Sequence, residues 1–193
     1  MTITTDRRLG RILQEGHFRL SSGLHSRHYL QVALLLQDPV DSVELCADLA
    51  DRFRHLEVEA VVGPAIGAIV PAYEVARALG ARSLWTERVD GEMTLRRSFA
   101  LRPGERVLVV EDVITTGGSV REVVQTVEAA GGRVVGIGAL VDRSGAPADF
   151  GVPFAALLSH AAETFAPGDC PLCREGVPLM KPGSREAPSA GNV

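Results

Sequence analysis

Residues 107–119 read Val-Leu-Val-Val-Glu-Asp-Val-Ile-Thr-Thr-Gly-Gly-Ser. Val107 to Val110 are four apolar β-formers in a row, as in a short strand buried on both faces. Two acids follow at once, Glu111 and Asp112, then Val113, Ile114, two threonines and two glycines. Ser119 stands where an N-cap is expected, and Val120, Val123, Val124 and Val127 repeat behind it at helical spacing. The expected element is therefore strand, acidic turn, hydroxyl-and-glycine loop, helix. Such a loop points backbone N–H groups and hydroxyls at one spot, at the positive end of a helix dipole, which makes a phosphate site. A plain turn would account for Gly117-Gly118. It would not account for paired carboxylates at the end of a buried strand, where uncompensated charge is costly.

Two other phosphate motifs are absent. There is no G-x-x-x-x-G-K-[ST], and no G-x-G-x-x-G lies between a strand and a helix. The flanks repeat the strand-to-helix logic. Leu9, Ile12 and Leu13 suggest a first helix ending near Gly16. Residues 17–30 read as two short strands about a turn at Ser22-Gly23. Asp38 and Pro39 open a helix reaching Arg54, with Val40, Val43, Ala47, Ala50 and Phe53 on one face and Cys46 as a small buried hydrophobe. Ala60 to Val62 is a core strand, and Gly63 to Gly67 is a tight loop into a helix over 68–79 that Gly80 ends.

Arg82 to Thr86 is the next strand. Glu87 to Thr94 lacks a clear period and reads as an exposed, mobile loop around Gly91, before a strand over Leu95 to Phe99. Residues 102–105 turn into the phosphate strand. Arg133 to Val141 and Pro153 to Leu158 complete the strands, and from Ala166 proline, glycine and polar residues dominate, with disorder expected over 182–193. Alternating strands and helices predict an α/β fold with a mostly parallel sheet. Ligands then bind at the carboxyl ends of the strands, where loops 63–67, 111–119 and 142–143 fall.

Composition narrows the function. A chain of 193 residues, 46% hydrophobic, suits one α/β domain with a small appendage. A net charge of −4 argues against a general nucleic-acid or membrane-surface binder. Residues 1–10 hold no apolar signal-peptide core and no run is long enough to span a membrane, so a cytoplasmic setting is expected. Cys46, Cys170 and Cys173 do not suggest a disulfide framework. A single C-x-x-C supplies two metal ligands where about four are needed, so Cys170 and Cys173 read as a structural turn, with His160 the candidate third ligand if a metal binds. Lys181 is the only lysine; the other nineteen of the twenty basic residues are arginines.

The 107–119 run resembles the phosphoribosyl diphosphate (PRPP) signature of type I phosphoribosyltransferases. Three further stretches narrow the resemblance to the orotate phosphoribosyltransferase family. The hood core S-G-x-x-S is kept as Ser22-Gly23-Leu24-His25-Ser26, Gly63-Pro64-Ala65 matches the diphosphate loop, and Val141-Asp142-Arg143 matches the strand end whose arginine holds the orotate carboxylate. The segment from Cys170 to Arg185 is similar to the tail of a bacterial and archaeal branch of that family. The chain departs from the family pattern in three places. Ser21 and Ile66-Gly67 stand where lysines are usual, and the 87–94 loop keeps only Arg88 as a cation, with Arg96 and Arg97 beyond it.

The resemblance implies a type I phosphoribosyltransferase fold. It comprises an N-terminal hood over 1–37, a PRPP-binding α/β core over 38–165 and a C-terminal tail over 166–193, partly disordered. It implies transfer of the phosphoribosyl group from PRPP to orotate, giving orotidine 5′-monophosphate and diphosphate, in UMP biosynthesis. PRPP would be held by Pro64, Ala65, Arg88, Glu111, Asp112, Val113, Ile114, Thr115, Thr116, Gly117, Gly118 and Ser119. Orotate would be held by Tyr29, Thr115 and Arg143, and Arg88, Glu111 and Asp112 would serve the chemistry. Mg²⁺ is the implied cofactor, carried by PRPP with no direct protein ligand and reaching Asp112 through water. A homodimer is implied, with Arg88 closing on the neighbour's diphosphate. The alternatives are a phosphoribosyltransferase for another base and a PRPP-sensing regulator without catalysis; the absence of a helix-turn-helix segment and the acidic charge oppose the second.

Overall fold

The computed structural model describes residues 7–20, 22–145, 149–161 and 163–182. Ser21 and the segment beyond Pro182, including its expected disorder, lie outside the described residues. The chain divides into two compact units, one of residues 1–31 and 162–193, the other of residues 32–161.

In the first unit, helix α1 (Arg7–Ile12) runs directly into strand β1 (Leu13–Arg19), which pairs antiparallel with β2 (His25–Leu30). The first helix therefore stops at Ile12, not near Gly16, because Leu13, Gln14 and Glu15 are claimed by the ladder to Leu30, Tyr29 and His28. The ladder is irregular between Glu15 and Phe18. There Gly16 and His17 oppose the single residue Arg27, a bulge that re-aims its side chains. A two-residue strand β9 (Thr164–Phe165) adds to β2, and a segment ending at Met180 returns to β1. Met180 N–H donates to His17 O at 2.7 Å, and Arg19 N–H donates to Met180 O at 2.8 Å.

The second unit holds a six-stranded sheet and three principal helices. After a one-turn helix α2 (Ala33–Leu36), α3 (Pro39–Asp51) opens on Asp38, whose carboxylate accepts from the N–H groups of Val40 and Asp41. Its buried face is Ser42, Leu45, Cys46, Leu49 and Ala50. Val40 is 67% exposed and Val43 37% exposed, so the face drawn through those valines is corrected. The longer leucines take the core side. Strands β3 (Ala60–Pro64), β4 (Arg82–Val89), β5 (Glu92–Leu95), β6 (Arg106–Ile114), β7 (Arg133–Asp142) and β8 (Phe154–Ser159) lie in the order β5-β4-β3-β6-β7-β8. All neighbours are parallel except β4 and β5.

Helices α4 (Ile69–Leu79) and α5 (Gly118–Ala129) connect the central strands. Ala60, Val62, Val107, Val109, Ile137 and Ala139 pack with Val120, Val123 and Val127 of α5. The alternate residues of those strands face the other way, toward α3 and α4. On that face a Cβ at Gly136 or Gly138 of β7 would lie 3.1 Å from Leu56 or Phe53, so glycine lets the α3 layer approach the strand closely.

Two expectations at the sheet edge are corrected. Residues 87–94 are not an irregular loop: they belong to a hairpin in which Thr86, Glu87, Arg88 and Val89 pair with Leu95, Thr94, Met93 and Glu92. Asp90 and Gly91 turn it with φ of 50° and 94°, the left-handed pair that a tight hairpin requires. The strand expected over 95–99 stops at Leu95, and the chain then bends through Arg97 and Ser98 at φ of 58°.

Candidate active site

The carboxyl ends of β3, β6 and β7 lie side by side, and the loops that leave them form the candidate site. Strand β6 extends through both acids to Ile114, so the acids belong to the strand end and the loop proper is Thr115 to Gly117. Gly117, not Ser119, is the helix cap: it sits at φ 75°, and α5 starts at Gly118 with no side-chain cap bond. A Cβ on Gly117 would also lie 2.9 Å from Arg121 Nη1 and 3.0 Å from Phe150, whose ring stacks under the Arg121 guanidinium at 5.1 Å. Arg121 in turn donates to Thr116 O at 2.9 Å. The loop is thus fixed from behind, while Thr115, Thr116, Gly118 and Ser119 face solvent around a hollow of about 40 Å³. The N-terminal N–H groups of α5 have no intrahelical partners and border that hollow, as a phosphate oxygen needs.

The two acids differ. Glu111 is 7% exposed, and burial first, then the neighbouring Asp112 carboxylate, pushes its carboxyl well above the ordinary range. Burial thus disfavours the ionised form of Glu111. Asp112 is half-buried; its Oδ1 accepts from Val113 N–H at 2.8 Å, and its Oδ2 lies 2.4 Å from where a Cβ on Gly67 would be. The 63–67 loop and the acid pair are therefore in direct apposition, and Gly67 is required by the close approach. Sequence reading placed Gly67 in a tight candidate ligand loop and where a lysine is usual, without the close approach to Asp112. Pro64 ends β3, Ala65 N–H donates to Thr86 O at 2.8 Å, and the Ala65–Ile66 peptide is cis.

Arg143 follows β7, and its N–H donates to Ile114 O at 2.8 Å, which sets it next to Thr115. Tyr29 is on β2 of the first unit, its ring 5.6 Å from that of Phe18. The hairpin arginines are engaged within the chain. Arg88 is ion-paired to Glu122 of α5 at 2.5 Å and also bonds Gly91 O; Arg96 and Arg97 meet Glu87 at 3.2 and 2.5 Å. Glu122 as the partner of Arg88 was not anticipated, since the two are distant in sequence and only the hairpin and α5 bring them together.

Mg²⁺ prefers oxygen ligands and keeps several waters. The half-buried Asp112 carboxylate at the rim of the loop fits contact through water, and Glu111, whose burial disfavours the ionised form, is the poorer direct ligand.

A strand-end acid pair, a hydroxyl-glycine loop and a helix start in a mostly parallel sheet define a phosphoribosyltransferase domain, and the profile described as "Phosphoribosyl transferase domain" matches residues 41–150. The chain is 58% identical over 171 residues to the orotate phosphoribosyltransferase of Desulforamulus reducens, covering 89% of this chain and 90% of the relative. It is 55% identical over 176 residues to that of Carboxydothermus hydrogenoformans, covering 90% and 92%. Among solved structures, Mycobacterium tuberculosis orotate phosphoribosyltransferase in complex with inorganic phosphate superposes with a TM-score of 0.63 at 27% identity, covering 79% of this chain and 90% of that one. The chain belongs to the orotate phosphoribosyltransferase family.

Proposed function

We propose that the chain transfers the phosphoribosyl group of PRPP to N1 of orotate, releasing diphosphate and forming orotidine 5′-monophosphate, a step of pyrimidine biosynthesis. The carrying observation is the loop from Glu111 to Ser119, fixed from behind by Arg121 and Phe150 and set against Gly67 by Asp112. The agreement of relatives over about nine-tenths of both chains supports the choice of base.

Thr115, Thr116 and the N–H groups of Gly117 to Ser119 hold the 5′-phosphate. Glu111 and Asp112 take the ribose hydroxyls, and the 63–67 loop lies where the diphosphate departs. Positive charge develops at C1 as the C1–O bond breaks, and the orotate nitrogen forms the new bond. The negative charge of orotate sits on its carboxylate, so the N1 proton leaves as the C1–N1 bond forms and passes to the departing diphosphate; the protein's main task is to orient two anions. Arg143 beside Thr115 suits the orotate carboxylate, which a guanidinium reads with two hydrogen bonds. Mg²⁺, when bound with PRPP, neutralises the leaving diphosphate. Asp112 would hold it through water.

The chain works as a homodimer in the cytoplasm. Arg88, on an exposed hairpin, exchanges Glu122 for the diphosphate of the neighbouring subunit. The three unpaired thiols suit a reducing compartment, and among the described residues no helix is long and apolar enough to cross a membrane.

The test is a spectroscopic assay of base loss with PRPP and Mg²⁺, run in parallel with orotate, uracil and adenine. Orotate alone should be consumed; consumption of another base, or of none, overturns the proposal. In the same assay Arg143→Ala should raise the orotate KM at least about tenfold and the PRPP KM far less, because a lost charge-assisted pair is a loss of ground-state binding. Equal rises in both constants would remove Arg143 from the orotate site.

A further inference from the structure

His17, His25, Cys170 and Cys173 converge within the first unit, so that one ligand atom from each lies within 4.8 Å of all the others. His17 Nε2 is 3.0 Å from His25 Nδ1, 3.5 Å from Cys170 Sγ and 3.7 Å from Cys173 Sγ; Cys173 Sγ is 3.3 Å from His25 Nδ1. A tetrahedral zinc ion with its usual bond lengths sets neighbouring ligand atoms roughly 3.3–3.8 Å apart. Four of the six ligand–ligand separations already stand close to those edges, and the other two are no longer than 4.8 Å.

The surroundings orient the donors. His17 Nδ1 is 2.8 Å from Val177 O, and a carbonyl can only accept, so Nδ1 carries the proton and Nε2 presents a lone pair to the cluster. The bulge at Gly16-His17 and the return of the tail to Met180 set His17 against the Cys170–Cys173 turn. His25 pairs with Arg19, two residues from His17, so both histidines share one face of the hairpin. His17, His25 and Cys170 are buried and Cys173 is exposed, which leaves a path of entry. Two thiolates and two neutral imidazoles cancel the charge of a divalent ion, so the filled site carries no net charge into the interior. Nitrogen and sulfur donors with no carboxylate select zinc over magnesium or calcium. The sequence suggested His160 as a third ligand; the side chains gathered at the thiols are His17 and His25.

We propose that these four residues bind one structural Zn²⁺ that ties the segment 163–182 to the β1–β2 hairpin. Small units with little core commonly depend on such a staple.

The test is elemental analysis of the full chain, purified without a metal-affinity tag or chelator, followed by replacement of zinc with Co²⁺. We expect one zinc per chain. The cobalt form should show a near-ultraviolet thiolate-to-cobalt charge-transfer band and the intense visible bands of tetrahedral cobalt. Cys173→Ser and His25→Ala should weaken zinc binding at least about tenfold, since even residues that only orient ligands have effects of that size. The cobalt spectrum of the unaltered chain stands even if a variant fails to fold. A chain with reduced thiols that neither carries zinc nor develops tetrahedral cobalt bands, or a Cys170–Cys173 disulfide found by mass, would overturn the proposal.

Discussion

The 111–119 loop and the 82–95 hairpin, both assigned to PRPP in the proposed mechanism, are held in opposite ways. The loop grows from a strand buried between two helical layers, and its rear is locked by Gly117, Arg121 and Phe150, so its donors face solvent already placed. The hairpin lies at the sheet edge, and Arg88 within it and Arg96 and Arg97 just beyond it are occupied by carboxylates of the same chain. One region is preset; the other has to trade partners. Exposed ion pairs contribute little to stability, so trading them costs little.

Breaking the preset region should have the largest effect. Asp112→Asn keeps the shape but removes the charge beside Gly67, and kcat/KM for PRPP should fall about 10²–10³-fold, the scale of losing one well-placed electrostatic group. Circular dichroism should be unchanged. Normal PRPP kinetics in this variant would place the ribose elsewhere.

Arg88→Ala should lower kcat by roughly tenfold to a hundredfold. If Arg88 serves the neighbour's site, a confirmed heterodimer of Arg88→Ala and Asp112→Asn subunits contains one site with both residues intact. Random pairing should then restore roughly a quarter of wild-type activity. Dead heterodimers built from well-folded parents would assign Arg88 to its own subunit or to none.

Glu122→Gln removes the competitor for Arg88. Because an exposed pair is worth at most about 1 kcal/mol, the PRPP KM should drop by no more than about fivefold. A rise would mean that Glu122 positions the hairpin productively instead of restraining it.

The smallest effect concerns stability. The Glu111 carboxyl titrates well above its ordinary range in the folded chain, so the stability it contributes is full below that range and is lost as pH rises through the folded value. Glu111→Gln has no such loss. Melting temperatures without substrate should therefore shift in the variant's favour as pH rises from about 4, the ordinary carboxylate value, toward neutrality. A constant difference across that range would mean that Glu111 is not held protonated.

The preset region was largely legible in the sequence. Four β-formers followed by acids and glycines leave few alternatives, and strand, loop and helix follow in the expected order, although β6 runs on through the acids to Ile114 where an acidic turn was expected. The cap was misassigned because Ser119 is the better capping residue by type, whereas the left-handed turn that brings the chain past Phe150 admits only Gly117 comfortably. The hairpin was hidden because its Asp90-Gly91 turn is flanked by charged residues instead of an alternating apolar pattern. The valine face of α3 was a fair periodic reading, but Leu45 and Leu49 offered more apolar surface to bury. Of the four-residue cluster only the Cys170–Cys173 pair was legible, and its histidines were not. The cluster needs a bulge at Gly16-His17 and a chain return over a long sequence separation, and neither leaves a local signature.

Equilibrium binding of PRPP with Mg²⁺ to Asp112→Asn and Arg88→Ala, set beside kcat for each, separates the two regions most directly. Asp112→Asn should weaken PRPP binding by more than about tenfold, and Arg88→Ala should leave it within about threefold of wild type while kcat falls, since a group that arrives late contributes mainly to the transition state. If Arg88→Ala weakens binding as much as Asp112→Asn, or if Asp112→Asn binds PRPP normally, the division into a preset loop and an arriving hairpin is wrong.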